Sequence, residues 1–336
     1  MKNLLSIITM ILAPFASFAQ GTASLTLDDI YIRDPFILPI EKNHTYYMYA
    51  SSTTTDRNGE QVGGVKVYKS TDLKKWSEPK QVCVIPEGNW SRGVVWAPEV
   101  HEYKGKFYLF ATINSDITWK APKQDWVQYT WRATQIFRAD DPEGPFMPLS
   151  IEPSTPADQM ALDGTLWVED GKPYMIYCHE WVELTDGAMN VVEMTPDLSA
   201  RAAQPQKLFH ASAAPWSTGL DYPQGDRYYV TDGCFLYRTK SGKLLMIWSS
   251  FYNGQYAVGV AESVTGRVKG PWRQQPEPIF KSHGGHAMIF KTFDGRLCLT
   301  LHQPNSPDGE ERAKIFEIED LGTTLRIKEP TTTLSK

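Results

Sequence analysis

The chain has 336 residues, a formal net charge of -5, 41% apolar residues and 12% aromatic residues, with 11 Trp and 16 Tyr among them. That length and apolar share support a sizeable core in one large domain or two small ones. The acidic balance argues against nucleic acid or an anionic membrane as partner, because both need basic patches. The surplus of Trp is what a carbohydrate site uses, since sugar rings stack their C–H faces on indole.

Residues 1–19 read as an export signal. Lys2 supplies the positive start, residues 4–18 an apolar run broken by Pro14, and Ser17-Phe18-Ala19 a small-x-small cleavage site before Gln20. No Cys follows that site and no later run is apolar for long enough to span a bilayer. The expectation is a secreted or periplasmic chain without membrane insertion, with residues 20–336 forming one domain. The four cysteines, Cys83, Cys178, Cys234 and Cys298, are scattered and contain no CxxC pair. They read as buried thiols rather than a disulfide framework or a zinc site.

From there the chain shows short runs rich in Tyr, Phe, Val and Ile, separated by glycine-containing turns. The first hairpin joins residues 34–38 to 46–51 through a polar turn at 41–44. The second joins 100–103 to 106–112 through Lys104-Gly105, and the third joins 163–168 to 173–179 through Asp170-Gly171. The fourth joins 232–238 to 244–249 through Ser241-Gly242, and the fifth joins 285–291 to 297–302 through Asp294-Gly295. Glycine accepts the positive φ of such turns. The copies recur roughly every 50–70 residues, a period in the range of propeller blades. The predicted fold is all-β: a five-bladed β-propeller, each blade of about four strands, stabilised by stacking in a closed ring. A two-sheet sandwich does not explain why five similar hairpins begin with a polar or glycine residue at the same place.

The innermost strand of each blade lines the central channel. Three such strands begin with aspartate: Asp34 before Pro35, Asp163 before Gly164 and Asp232 before Gly233. A fourth starts near Trp96-Ala97-Pro98-Glu99, and the fifth carries His286 after Gly284-Gly285. Singly, Asp before Pro or Gly is an ordinary turn residue. Recurring in different blades, the aspartates converge at one mouth. Carboxylates crowded in one funnel raise at least one pKa, leaving an acid beside a base, the pairing that glycosidic cleavage requires.

The set Arg33-Asp34-Pro35-Phe36, Trp96-Ala97-Pro98-Glu99, Asp163-Gly164-Thr165-Leu166-Trp167, the closers Gly144-Pro145-Phe146 and Gly270-Pro271-Trp272, and Gly284-Gly285-His286 resembles glycoside hydrolase family 43. The resemblance implies a five-bladed propeller that inverts the anomeric carbon and acts on α-L-arabinofuranosides or β-xylosides of plant cell walls. It implies that Asp34 is the general base and that Asp163 raises the pKa of the acid and holds it in place. Acid and base then stand roughly 6.5–9.5 Å apart. The chemistry calls for no cofactor, but the resemblance implies that His286 is the central histidine associated with a hydrated calcium ion in the channel.

The third acid departs from the pattern. Where that family has a glutamate followed by Gly-Pro, this chain reads Asp232-Gly233-Cys234, one methylene shorter and without the proline. Asp232 holds the motif position; Glu180, in His179-Glu180-Trp181, has the reach of a glutamate and ends a strand returning to the same mouth. A third reading is a catalytically silent propeller that only binds sugar. Trp96, Glu99, Trp181 and His286 are the candidate substrate contacts, and Trp90, Trp119 and Trp216 also fall near the mouth. Long segments at 112–131 and 209–229 would wall the pocket and favour release of a terminal arabinose or xylose.

Overall fold

The computed structural model describes residues 24–118, 121–122, 126–222 and 225–328. The export signal and Trp119 lie outside the described residues. Five four-stranded antiparallel sheets follow one another along the chain. Blade I is Phe36–Ile40, Thr45–Thr55, Gln61–Ser70 and Lys80–Val84; blade II is Val95–Tyr103, Lys106–Thr118, Thr130–Ala139 and Met147–Pro148. Blade III is Ala161–Glu169, Lys172–His179, Ala188–Glu193 and Gln206–His210. Blade IV is Asp232–Arg238, Leu244–Tyr252, Gln255–Ser263 and Trp272–Gln274, and blade V is Gly285–Lys291, Leu297–Gln303, Arg312–Asp320 and Leu325–Ile327. The first strand of each blade touches the first strand of the next, and blade V returns to blade I, so these five strands ring the channel.

Apolar layers fill the gaps between neighbouring blades. Phe110 and Ile136 of blade II meet Met175 and Tyr177 of blade III. Ile176 and Met189 of blade III meet Met246 and Trp248 of blade IV, and Leu245 and Ile247 meet Leu299 and Leu301 of blade V. No blade can cover both its own faces, so each owes its stability to two neighbours. All four cysteines are buried free thiols within these layers.

Closure between blades V and I uses side chains and a short backbone graft rather than a shared sheet. Ile32 N–H donates to Glu311 O at 3.2 Å, and Tyr31 bridges Arg312. Beside them Arg33 Nη1 donates to Glu311 Oε1 at 2.8 Å, with the Glu311 carboxylate fully buried. The residue that opens the Arg-Asp-Pro-Phe motif therefore locks the ring and places its neighbour Asp34 at the channel mouth.

The same bulge opens the inner strands of blades II to V. Trp96 pairs with Thr112 and Glu99 with Phe110; Asp232 pairs with Ser249 and Phe235 with Ile247; Gly285 pairs with His302 and Met288 with Thr300. In each case three residues advance along one strand against two along its partner. The residue inside the bulge takes a left-handed conformation in these four blades, Ala97 (φ 43°), Asp163 (φ 56°), Gly233 (φ 49°) and His286 (φ 52°), and Asp34 (φ 52°), just ahead of the inner strand of blade I, does the same. This register corrects the expectation that Asp232 is the counterpart of Asp34 and Asp163. Asp232 stands one residue earlier, where the other blades carry Trp96, Leu162 and Gly285, and the true counterpart is Gly233.

The long segment at 112–131 begins and ends as strand: the second and third strands of blade II continue into it, pairing Asn114 with Arg132 and Thr118 with Thr130.

Gly233 shows why blade IV differs. Four blades tolerate a side chain at this left-handed position, so backbone conformation alone does not demand glycine. A Cβ at 233, however, would sit 2.7 Å from Cγ of His286. Gly233→Ala is expected to push His286 out of place and destabilise the fold by about 1–3 kcal/mol. Urea denaturation of the variant measures this, and wild-type stability would show that the channel can yield at that point.

Candidate active site

A cavity of about 890 Å³ opens at the channel mouth. Its walls include Arg33 and Asp34 from the entry to blade I, Trp96 and Arg132 from blade II, Asp163, Glu180 and Trp181 from blade III, and Asp232 from blade IV. Both candidates for the third acid thus face the same space as Asp34 and Asp163. His286 lies behind the aspartates rather than on the wall, and is buried.

The cluster is organised by that histidine. His286 Nδ1 lies 3.0 Å from Asp232 Oδ1, 3.2 Å from Asp34 Oδ1 and 3.9 Å from Asp163 Oδ2. Its backbone N–H donates to Ser249 Oγ at 2.8 Å, which fixes the bulge that aims the ring. Burial works against a charge on the ring, but the three surrounding aspartates outweigh it and push its pKa well above the ordinary histidine value. His286 is an imidazolium.

Each carboxylate answers to this cation differently. Burial opposes the charge of Asp34, yet the positive His286 and His302, whose Nδ1 accepts the Asp34 N–H at 3.3 Å and lies 3.1 Å from Oδ1, hold its pKa below the usual carboxylate value. Burial likewise opposes ionisation of Asp232. The hydrogen bond and charge of His286 overcome it, helped by Asp163 and by Tyr256, whose hydroxyl donates to Oδ2 at 2.5 Å, so Asp232 is held low. Asp163 receives the N–H of Gly233 at 3.2 Å, but it is the carboxyl that burial pushes well above the usual range, and the charge of Asp232 adds to that push. Within this pair the balance favours a protonated Asp163 beside an ionised Asp232.

Glu180 is set by a separate environment. It follows the strand Lys172–His179 and caps the short helix Trp181–Leu184. Arg132 Nη1 donates to its Oε1 at 2.6 Å, while Oε2 is buried with no hydrogen-bond partner among the described residues. Burial raises its pKa, the Arg132 cation lowers it, and the charge of Asp232 raises it again, to about 7. Burial wins over the ion pair, leaving a carboxyl poised to exchange a proton near neutrality.

The aromatic residues divide. Trp96 is 40% exposed on the cavity wall, with the Arg132 guanidinium 4.7 Å from its ring centroid. Trp181 stacks on Tyr228 at 4.2 Å, and Trp126 packs on Tyr222 at 4.7 Å and anchors Val182 O through its indole N–H, building one side wall. Trp216 is buried against Trp248, with Gly259 pressed on its ring, so it is core. Trp90 packs on Trp131 and donates to Gln135. Glu99 does not line the cavity; it is buried and bonded to His101 Nε2 at 2.9 Å.

Arg132, His302 and Tyr256 are site residues that no motif announced. His302 ends the fifth hairpin opposite Gly285, a position that the repeat itself could have flagged. Arg132 sits beside Trp131 in a stretch noticed only for its tryptophans.

Asp163, Asp232 and His286 offer donor atoms within 4.8 Å of one another, which is the arrangement to test for the expected central ion. Calcium takes about six to eight oxygen ligands. Here two carboxylates and one imidazolium converge, with Nδ1 spent on Asp34 and Asp232. Three protein groups are fewer than that shell, so an ion held here would take its remaining ligands from water, as a hydrated ion does, and would displace the proton of the ring; no catalytic step is assigned to one.

The comparisons agree with this geometry. The family model for glycosyl hydrolases family 43 matches residues 30–324. The fold is similar to a solved endo-arabinase from Bacteroides thetaiotaomicron, 37% identical, covering 88% of this chain and 97% of that one with a TM-score of 0.76. It is also similar in fold to an endo-1,4-β-xylanase of the same organism, at 21% identity, covering 92% and 97% of the two chains with a TM-score of 0.69. A shorter stretch of 90 residues is 29% identical to the extracellular endo-α-(1→5)-L-arabinanase 1 of Bacillus subtilis, spanning 25% of each chain. The match over almost all the described blades, with the aspartates of three of them gathered at one mouth, means that the chain belongs to glycosyl hydrolases family 43 and is a glycosidase.

Proposed function

We propose that this protein hydrolyses α-L-arabinofuranosidic linkages within plant arabinan, outside the cytoplasm and with inversion, using Asp34 as general base and Glu180 as general acid. The carrying observation is the contrast between those two groups across one cavity. Asp34 is held ionised by His286 and His302, whereas burial keeps Glu180 protonated up to about pH 7. Asp34 takes a proton from water as the water oxygen bonds to the anomeric carbon; Glu180 protonates the departing glycosidic oxygen as its bond to that carbon breaks. Asp232 is an unsuitable acid because it is held ionised, but its charge raises the pKa of Glu180. It thus assumes part of the task expected of Asp163, while Asp163 supports Asp232 as its protonated neighbour.

The sugar and mode of attack rest on separate grounds. Likeness to an endo-arabinase across most of both chains supports arabinan, and a cavity of about 890 Å³ is larger than one pentose unit needs. Trp181 on the cavity wall, backed by Trp126, Tyr222 and Tyr228, favours a second reading, release of a terminal arabinose or xylose from a blocked end. Early products from linear arabinan decide between them: oligosaccharides mean internal cleavage, and arabinose alone means terminal release. Xylose released from xylan in preference to arabinan hydrolysis would overturn the substrate assignment.

Glu180→Gln is expected to lose ~100-fold or more on arabino-oligosaccharides while keeping much of its rate on aryl arabinofuranosides with good leaving groups. Asp232→Asn should instead lower the alkaline limb of kcat/KM, because a charge that favours protonated Glu180 is removed. If Asp232→Asn shows the leaving-group discrimination and Glu180→Gln does not, the acid has been misassigned.

In the wild type, kcat/KM should fall as pH rises through about 7, where Glu180 gives up its proton. The acid limb should lie below pH 3.8, the ordinary value from which Asp34 is lowered. A pH–rate profile on an oligosaccharide substrate checks both limbs; a flat profile from pH 6 to pH 9 contradicts the assignment.

A further inference from the structure

We infer that Arg132 is a positioning residue that confines the proton of Glu180 to Oε2 and ties the acid to Trp96, the exposed indole of the cavity. This rests on Glu180 as the acid. Arg132 comes from the third strand of blade II, opposite Asn114, and reaches across the blade boundary to a residue of blade III. Its side chain is 12% exposed and that of Glu180 is 6% exposed, so the contact is shielded from water. A guanidinium is always protonated and only donates, so the 2.6 Å bond to Oε1 bars a proton from that oxygen. The proton is left to Oε2, which has no hydrogen-bond partner among the described residues. The same planar group lies 4.7 Å from the ring centroid of Trp96. A sugar seated on that indole and the acid that protonates it are thereby referred to one rigid group.

The charges facing Glu180 are Arg132, Asp232 and Glu183. Glu183 is itself bonded to His179 Nε2 at 2.8 Å and to the N–H of Met160. Of these, only Arg132 pulls the pKa of Glu180 down. Removing it must raise that value, so an alkaline limb near 7 moves upward.

Arg132→Met and Arg132→Lys, in the wild type and in Glu180→Gln, provide the test, with linear arabino-oligosaccharide and an activated aryl arabinofuranoside as substrates. In Arg132→Met the alkaline limb of kcat/KM should shift to higher pH. Its kcat should fall by ~10-fold or more on the oligosaccharide and less on the aryl substrate, with KM nearly unchanged. Arg132→Lys, which keeps the charge without the planar fork, should restore the limb but only part of kcat. In Glu180→Gln, Arg132→Met should add little, because both changes act through one group. An unmoved limb with a raised KM would make Arg132 a substrate contact, and an unmoved limb with only a lowered Tm would make it structural; either overturns the inference. If Glu180→Gln is impaired and Arg132→Met multiplies that loss, the inference falls and the acid assignment stands. If Glu180→Gln retains full rate on the oligosaccharide, the acid assignment falls and takes the inference with it.

Discussion

Three aspartates from three blades share one buried mouth because His286 stands among them as a cation, 3.0 to 3.9 Å from a carboxylate oxygen of each. Without it, three carboxyl groups withdrawn from water would repel one another and take up protons. With it, two remain charged and one, Asp163, keeps the proton that the remaining imbalance requires. The backbone serves this arrangement. A left-handed residue opens all five inner strands, within a bulge in blades II to V, and it is Asp34 in blade I, Asp163 in blade III and His286 in blade V. Gly233 fills the fourth of these positions because its neighbour is the imidazole itself.

That constraint explains why the acid stands elsewhere. A carboxyl inside the imidazolium's field is either held ionised or paired with one that is, so it is a poor proton donor at neutral pH. Glu180 reaches the cavity from the end of the second strand of blade III and is governed by burial and Arg132 instead. The shortening of the blade IV residue to Asp232 and the use of Glu180 are then two sides of one arrangement. Asp232 is drawn back onto His286 and Tyr256, and its charge helps to keep Glu180 protonated.

Much of this was legible in the amino-acid order, and the limits have physical causes. The blades could be read because the Asp-Gly, Lys-Gly and Ser-Gly turns repeat, and Asp34, Asp163 and His286 because their motifs occupy the left-handed position. Asp232 was misread by one residue, since a bulge changes register without changing composition. Glu99 carried a motif yet is buried against His101 instead of lining the cavity, a contact that the motif does not announce. Arg132 and Tyr256 were invisible because their roles depend on contacts far apart in sequence, across 48 residues from blade II to blade III and across 24 residues within blade IV. Nor did composition distinguish Trp96, open on the cavity wall, from Trp216, which is core.

The central claim is that the proton used on the leaving group resides on Glu180 and not on Asp232. It is tested most directly by carbon-13 NMR of side-chain carboxyl groups in the folded protein, with Glu180→Gln and Asp232→Asn used to assign the two signals. The account predicts that the Glu180 signal titrates near pH 7 and that the Asp232 signal shows no titration above pH 3.8. An Asp232 signal titrating near neutrality, with Glu180 already ionised at pH 5, would contradict it.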